Sequence, residues 1–278
     1  MQNKLVSVII PAYNEEKLIE KTLISLKRQS YRPIETIVVD NGSTDKTQRV
    51  AKKYTDRVLY LSERGTAKTR NYGARFANGE YLFFLDADTE VSKNAIRNSV
   101  KYLNKGFAGG RIKVNYKSNN QKIKLFEFIQ NVGLIKVGFY TGPFIYTTKE
   151  FFQKSGGWDE RIKFQSDMDL MKKISRFGEL KSDAQSIAKT SARRLIQNKH
   201  YFYINSIGIL TLFGVKRLPY PPVREGRKLK KVKFNSLQSL LYEKEFSFLL
   251  RKLVSFGNKN NFKDLIKNYK RYLKKLRV

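Results

Sequence analysis

Tyr81-Leu-Phe-Phe-Leu-Asp-Ala-Asp88 sets two carboxylates, Asp86 and Asp88, directly behind five consecutive apolar or aromatic residues. An apolar run of that length reads as a buried strand rather than a helix. If the backbone stays extended past Leu85, both aspartates project to the same side, because side chains alternate along a strand. Ligands of open α/β sheets bind at the carboxyl ends of strands. Paired carboxylate oxygens there suit a hard divalent cation, Mg²⁺ or Mn²⁺. Asp-x-Asp by itself is also an ordinary polar turn, so the reading depends on its surroundings. A third carboxylate, Asp40, closes another apolar run, Ile34-Glu-Thr-Ile-Val-Val-Asp40.

The elements that must position these groups can be read in order. Val6-Ser-Val-Ile-Ile-Pro11 is a first strand stopped by proline. Leu18, Ile19, Leu23 and Leu26 then recur at helical spacing, with Asn14 as the expected N-cap and Glu15 and Glu16 in the first turn. The strand ending at Asp40 is followed by a turn, Asn41-Gly-Ser-Thr-Asp45, and a helix carrying Val50, Ala51 and Tyr54. A short strand at 58–61 precedes a helix that carries Lys68, Arg70 and Asn71, and the strand before Asp86 follows. Strands alternating with helices of this length imply parallel β-α-β units. The expected fold is α/β: a doubly wound, mostly parallel sheet flanked by helices, whose first, second and fourth strands end in loops sharing one crevice.

Four stretches carry a resemblance: Val-Ser-Val-Ile-Ile-Pro-Ala-Tyr-Asn-Glu, Val-Val-Asp-Asn-Gly-Ser-Thr-Asp, Arg-Asn-Tyr-Gly-Ala and Asp-Ala-Asp. In that order and spacing they resemble the family 2 glycosyltransferases of the GT-A fold, across roughly the first 195 residues. The resemblance implies a nucleotide-sugar donor site. Pro11, Ala12, Tyr13 and Glu15 would surround the base, and Asp40 would accept hydrogen bonds from base or ribose. Arg70 would face the donor's ribose or diphosphate, with Lys68 a weaker candidate. Asp86 would touch the ribose or a metal-bound water, Ala87 would belong to the donor nucleotide site, and Asp88 would bind the metal that bridges the diphosphate.

The same resemblance reaches Phe164-Gln-Ser-Asp-Met-Asp-Leu170. The family usually carries Glu-Asp at this place, the Asp serving as catalytic base; here Ser166 replaces the Glu and Asp167 aligns with the base. Ser166 reads as an N-cap with Asp169 in a capping-box position, and Leu170, Ile174 and Phe177 form the buried stripe. That leaves Asp167 to face the crevice. Gly156-Gly-Trp158 resembles the family's glycine-rich turn before the acceptor region, and Trp158 either stacks on a sugar or packs in the core. Arg193 and Arg194 either clamp a diphosphate or acceptor phosphate or form a basic surface corner. His200, the sole histidine, reads as an ordinary packed or surface residue.

Composition narrows the class. The chain has 278 residues, 41% of them hydrophobic, enough for one large domain and an appendage. It has no cysteine, which removes disulfide and thiolate chemistry. Val6 to Ile10 is too short for a secretory segment, and no stretch reaches the roughly 18 apolar residues of a spanning helix. The expected location is cytoplasmic, or peripheral on the inner face of the cell membrane.

The net charge of +32 favours polyanions or phosphorylated substrates. Residues 1–195 form the expected catalytic domain, and 196–278 a basic, mainly helical region whose only acids are Glu225, Glu243, Glu245 and Asp264. Basic amphipathic helices there suit an anionic membrane surface, each cation adding about 1 kcal/mol. Packing on the catalytic domain or on a second subunit is the alternative. The expected activity is a metal-assisted inverting transfer from a nucleoside-diphosphate sugar, with UDP as the expected nucleotide, to a glycan or lipid-linked acceptor. The rival is a non-catalytic nucleotide-sugar or nucleic-acid binding protein. Nucleic acid is disfavoured because the crevice gathers Asp40, Asp86, Asp88 and Asp167, which repel phosphate unless a cation is present.

Overall fold

A computed structural model describes residues 3–55, 57–128, 130–131, 140–162 and 166–197. The chain divides into two compact units, Met1–Ala192 and Arg193–Val278. The expected basic region at 196–278 lies almost wholly outside the described residues, as do His200 and most of the apolar stretch 129–139. Among the described residues no helix is long and apolar enough to cross a membrane.

The first unit runs β1 (Val6–Ala12), α1 (Ile19–Lys27), β2 (Ile34–Asp40), α2 (Thr47–Ala51), β3 (Val58–Tyr60), α3 (Thr66–Arg75), β4 (Tyr81–Leu85) and β5 (Thr89–Val91). It continues with α4 (Ala95–Asn104), β6 (Gly109–Lys117), α5 (Gln121–Phe128), β7 (Phe144–Thr148), α6 (Lys149–Lys154), α7 (Ser166–Ile174) and β8 (Leu180–Ser191). The second unit opens with α8 (Arg193–Gln197). The eight strands form one sheet in the order β3-β2-β1-β4-β7-β6-β8-β5. The β-α-β half is parallel throughout, and β7 enters antiparallel between β4 and β6. The second half is therefore mixed, with β6 and β8 parallel and β5 and β8 antiparallel.

Both faces of the central strands are covered, which explains why β4 reads as an unbroken apolar run and β1 as one broken only by the buried Ser7. Val8, Ile10, Phe83 and Leu85 pack with Ile19, Leu23, Ile96 and Val100 of α1 and α4. Ile9, Leu82 and Phe84 face the other way, toward Ala67 and Ala74 of α3 and Leu170, Met171 and Ile174 of α7. The parallel register aligns Ala12 with Asp40, so the carboxyl ends of β1, β2 and β4 open at one edge.

Gly73 lets α3 lie close on that sheet. A Cβ there would come within 2.6 Å of Ile9 Cγ2 and 2.8 Å of Val39 Cγ2. Overpacking a dense core of this kind destabilises by about 1–3 kcal/mol. Gly73→Ala should therefore lower the melting temperature, by about 2–4 °C per kcal/mol for a unit of this size. A calorimetric midpoint equal to that of the unaltered chain would contradict the close approach.

Candidate active site

The crevice begins with the loops after β1 and β2, which are tied together. The Asn14 amide donates to Ser43 Oγ at 2.9 Å, and Asn14 Oδ1 accepts from the Thr44 amide at 2.9 Å. The Glu15 amide donates to Thr47 Oγ1 at 2.8 Å, and Glu16 accepts from the Lys46 amide at 3.0 Å. Asn14 is thus not an N-cap. It takes a left-handed φ of 52°, and α1 starts only at Ile19, after Leu18. The side chain expected to cap a helix fastens two loops instead, and Glu20 is the acid in the first turn.

Asp40 is fully buried at the end of β2. Its Oδ2 accepts from the Ser43 amide at 3.1 Å and from Gln48 Nε2 at 2.8 Å, while Oδ1 is buried without a hydrogen-bond partner. An orphaned buried carboxylate oxygen costs free energy unless a donor reaches it. Beside it, Tyr13 is 44% exposed and carries the Arg64 guanidinium 3.7 Å above its ring. Ala12 and Glu15 are buried and Pro11 is half-buried. Asn41 draws in the segment before α3, donating to Leu61 and Glu63 carbonyls and accepting from the Gly65 amide.

Asp86 and Asp88 part company. The ladder continues one residue past β4, with the Asp86 amide donating to the Pro143 carbonyl at 2.9 Å. Asp86 thereby keeps the face of Leu82 and Phe84, which is the face covered by α3 and α7. The chain then turns, and the Thr89 amide donates to the Asp86 carbonyl at 3.2 Å. The expectation that both carboxylates share one side fails, because it required extended backbone through Ala87. Ala87 is buried, and its carbonyl accepts from Thr22 Oγ1 at 2.8 Å. Asp88 is turned toward β8, its Oδ1 lying 3.2 Å from the Thr190 hydroxyl of that strand and 3.4 Å from the hydroxyl of Thr89, the first residue of β5.

Asp167 enters from α7. It lies three and four residues before Leu170 and Met171, both buried against the sheet, so it shares their face of the helix. Its Oδ1 accepts from Arg70 Nη1 at 3.1 Å. Its Oδ2 accepts from Thr141 Oγ1 at 3.3 Å and the Gly142 amide at 3.4 Å. Arg70 Nη2 donates in turn to Asp86 at 2.7 Å. One guanidinium thus bridges the carboxylate behind β4 and the carboxylate opening α7. Burial alone would lower the Arg70 pKa, but the Asp167 and Asp86 charges more than offset that and raise it. Asp169 does not form the expected capping box; its carboxylate pairs with Lys173 at 3.0 Å, and Ser166 is already the first residue of the helix.

Trp158 resolves toward the core. It is 2% exposed, packs edge-on against Phe84 with centroids 5.5 Å apart, and lies 4.4 Å beneath the Arg70 guanidinium. A ring so covered cannot also stack on an acceptor sugar. Asn71 holds its backbone at both ends, donating to the Trp158 carbonyl and accepting from the Trp158 amide, each at 2.9 Å. Gly157, at φ 68°, leaves room for that clamp, since a Cβ would come within 2.9 Å of Asn71 Oδ1. Lys68 pairs with Glu63. Arg193 and Arg194 open α8 in the second unit. Gln48, Thr190, Thr141, Gly142 and Arg64 were not singled out from sequence. Only their place at strand ends and in glycine- or threonine-bearing loops hinted at them.

Among the described residues there is no group of three or more His, Cys, Asp or Glu able to hold a metal ion. Hard cations such as Mg²⁺ are commonly held by one or two carboxylates plus substrate phosphates rather than by a protein cage. A single oriented carboxylate, Asp88 with hydroxyls beside it, fits that pattern.

The family model of glycosyl transferase family 2 matches residues 7–156. An uncharacterized glycosyltransferase of Rickettsia typhi is 29% identical over 67% of this chain and 63% of its own length. The Staphylococcus aureus poly(ribitol-phosphate) beta-N-acetylglucosaminyltransferase TarS is 33% identical over 35% of this chain and 18% of its own. The chain thus spans less than two thirds of these relatives. Among solved structures, TarS residues 1–349 with UDP-GlcNAc are similar at a TM-score of 0.55 and 22% identity, over 67% of this chain and 58% of that one. The mannosyltransferase PcManGT of Pyrobaculum calidifontis, in complex with GDP-Man and Mn²⁺, is similar at a TM-score of 0.63 and 21% identity, over 80% and 67%. These likenesses establish a GT-A type fold.

Proposed function

Because the chain belongs to glycosyl transferase family 2, we propose that it transfers a sugar, with inversion, from a nucleoside-diphosphate sugar to a hydroxyl or phosphate of a glycan or lipid-linked acceptor. The observation that carries this reading is the gathering of Asp40, Asp86 and Asp167 at the carboxyl edge of the sheet, Asp86 and Asp167 through one arginine. A site with an acceptor carboxylate at the nucleoside end and a base at the far end has the two groups a single displacement needs.

Asp40 Oδ1 takes an N–H or O–H from the nucleoside, which satisfies its buried oxygen. Uridine is the proposed base, supported by the N–H it presents and by the UDP-GlcNAc bound to TarS. Tyr13, with Pro11, Ala12 and Glu15, forms the wall around it. Asp86 and Ala87 lie on the ribose side. Asp88 would hold a Mn²⁺ or Mg²⁺ ion, oriented by Thr190 and Thr89. Such an ion neutralises the charge of a diphosphate leaving group. Asp167 takes the proton of the acceptor hydroxyl as that oxygen bonds to the anomeric carbon. The bond from that carbon to the β-phosphate oxygen breaks on the opposite side, so the configuration inverts without a covalent sugar–enzyme intermediate.

We further propose that residues 1–195 carry the transfer chemistry and that the basic residues of 196–278 attach the protein to an anionic membrane surface. Their charge supports that reading.

Calorimetric titration with UDP and Mn²⁺ tests the donor site. Asp40→Asn should weaken UDP by about tenfold or more, the contribution of a hydrogen bond to a charged group. Absence of binding by UDP, UDP-GlcNAc and GDP-mannose alike, each with Mn²⁺, would remove the donor site from the protein.

A further inference from the structure

Arg70 sits between two carboxylates from distant parts of the chain. Its side chain is 7% exposed, and its two terminal nitrogens are committed to different carboxylates, Nη1 to Asp167 and Nη2 to Asp86. One face of its guanidinium rests on Trp158, whose backbone Asn71 grips from the next position on α3. A guanidinium is a rigid planar fork with five N–H donors; here one on each terminal nitrogen is given to a carboxylate, while Nε is buried without a hydrogen-bond partner.

The two oxygens of Asp167 are held unequally. Oδ1 has the charged partner at 3.1 Å. Oδ2 has a hydroxyl and a backbone amide at 3.3 Å and 3.4 Å, near the limit of a useful hydrogen bond. An incoming hydroxyl displaces contacts of that length more readily than a charge-assisted bond.

We propose that Arg70 is a positioning residue: seated on Trp158 and anchored by Asp86, it grips Oδ1 of Asp167 and leaves Oδ2 as the oxygen that takes the acceptor's proton. The inference rests on the glycosyltransferase reading only for what Asp167 does. The bridge itself is independent of that reading. It also gives Trp158 a task, which is to fix the plane of the guanidinium, and gives Asn71 the task of fixing Trp158. Asp86 then links the donor side of the crevice to the base through a single side chain.

The test compares the full chain with Arg70→Gln, Arg70→Lys and Trp158→Phe. In ligand-free crystals of Arg70→Gln the Asp167 carboxylate should turn away from its present rotamer; an unmoved carboxylate would overturn the proposal. UDP affinity with Mn²⁺ should stay within about threefold in all three variants, since no bond to the donor is lost. A tenfold weakening with unchanged turnover would make Arg70 a donor ligand instead. UDP release from UDP-GlcNAc should fall about 100-fold in Arg70→Gln, the lower range of general-base contributions. Arg70→Lys should recover part of it, and Trp158→Phe should lose only several-fold. Adding Arg70→Gln to Asp167→Asn should bring no further loss, because the residue acts through the missing carboxylate. A further tenfold loss would oppose this. Should wild-type protein bind no UDP, the glycosyltransferase reading fails, while the crystals of Arg70→Gln, or of Trp158→Phe if the former does not fold, still decide whether the guanidinium sets Asp167.

Discussion

Asp167→Asn should bind UDP and Mn²⁺ as the wild type does, within about twofold, while transfer falls by about 10²- to 10⁴-fold, the range general-base groups supply. The substitution preserves shape and removes proton affinity, so it separates binding from chemistry. It also weakens the pairing of a buried cation. Removing one partner of a buried ion pair can cost about 3–5 kcal/mol, but Arg70 keeps Asp86, and the Asp167 side chain is 19% exposed. The loss of stability should therefore be smaller, and a melting curve recorded beside the kinetics makes sure that the assayed protein is folded. Turnover close to the wild-type rate would strip Asp167 of its assignment as base.

The second large effect is expected at Asp88. Its carboxylate stands beside hydroxyls from β8 and from the following residue, at 3.2 Å and 3.4 Å. Asp88→Ala should abolish the extra thermal stabilisation that Mn²⁺ confers in the presence of UDP. Turnover should drop about 10²- to 10³-fold, as when one preorganised group facing a developing charge is removed. The thermal readout does not depend on knowing the sugar or the acceptor. Thr190→Val, which removes only the orienting hydroxyl, should produce the milder loss of about 10–100-fold typical of groups behind a ligand. A Mn²⁺-dependent shift that survives in Asp88→Ala would move the cation elsewhere.

The strands were readable because both faces of β1, of β4 and of the second half of β2 are buried, which leaves runs of Val, Ile and Phe that helices seldom show. The opening residues of motifs were less readable than their existence. Asn14 looked like a cap because its type favours caps, but the same short polar side chain also tolerates left-handed backbone, and the loop needed that more. The divergence of Asp86 and Asp88 hinged on one turn at Ala87, where a local hydrogen bond overrides strand alternation. The partners of Arg70 could not be read at all. They come from two distant segments that only the closed sheet brings together. Trp158 left both outcomes open in sequence, and packing against Phe84 decided for burial.

The fastening of the loops behind β1 and β2 has a bearing on which part of the molecule can drift in evolution. Asn14, Glu15 and Glu16 on one side and Ser43, Thr44, Lys46 and Thr47 on the other make a latch closed by the protein's own hydrogen bonds. On the proposed donor reading, a nucleotide there would meet loops held by the protein itself and lose little to ordering of the chain. On that reading, a change in preference for one nucleotide over another would call for coordinated swaps in both loops. Thr141 and Gly142 touch Asp167 only at long range, and on the same reading that stretch could be recut one residue at a time to suit a new acceptor.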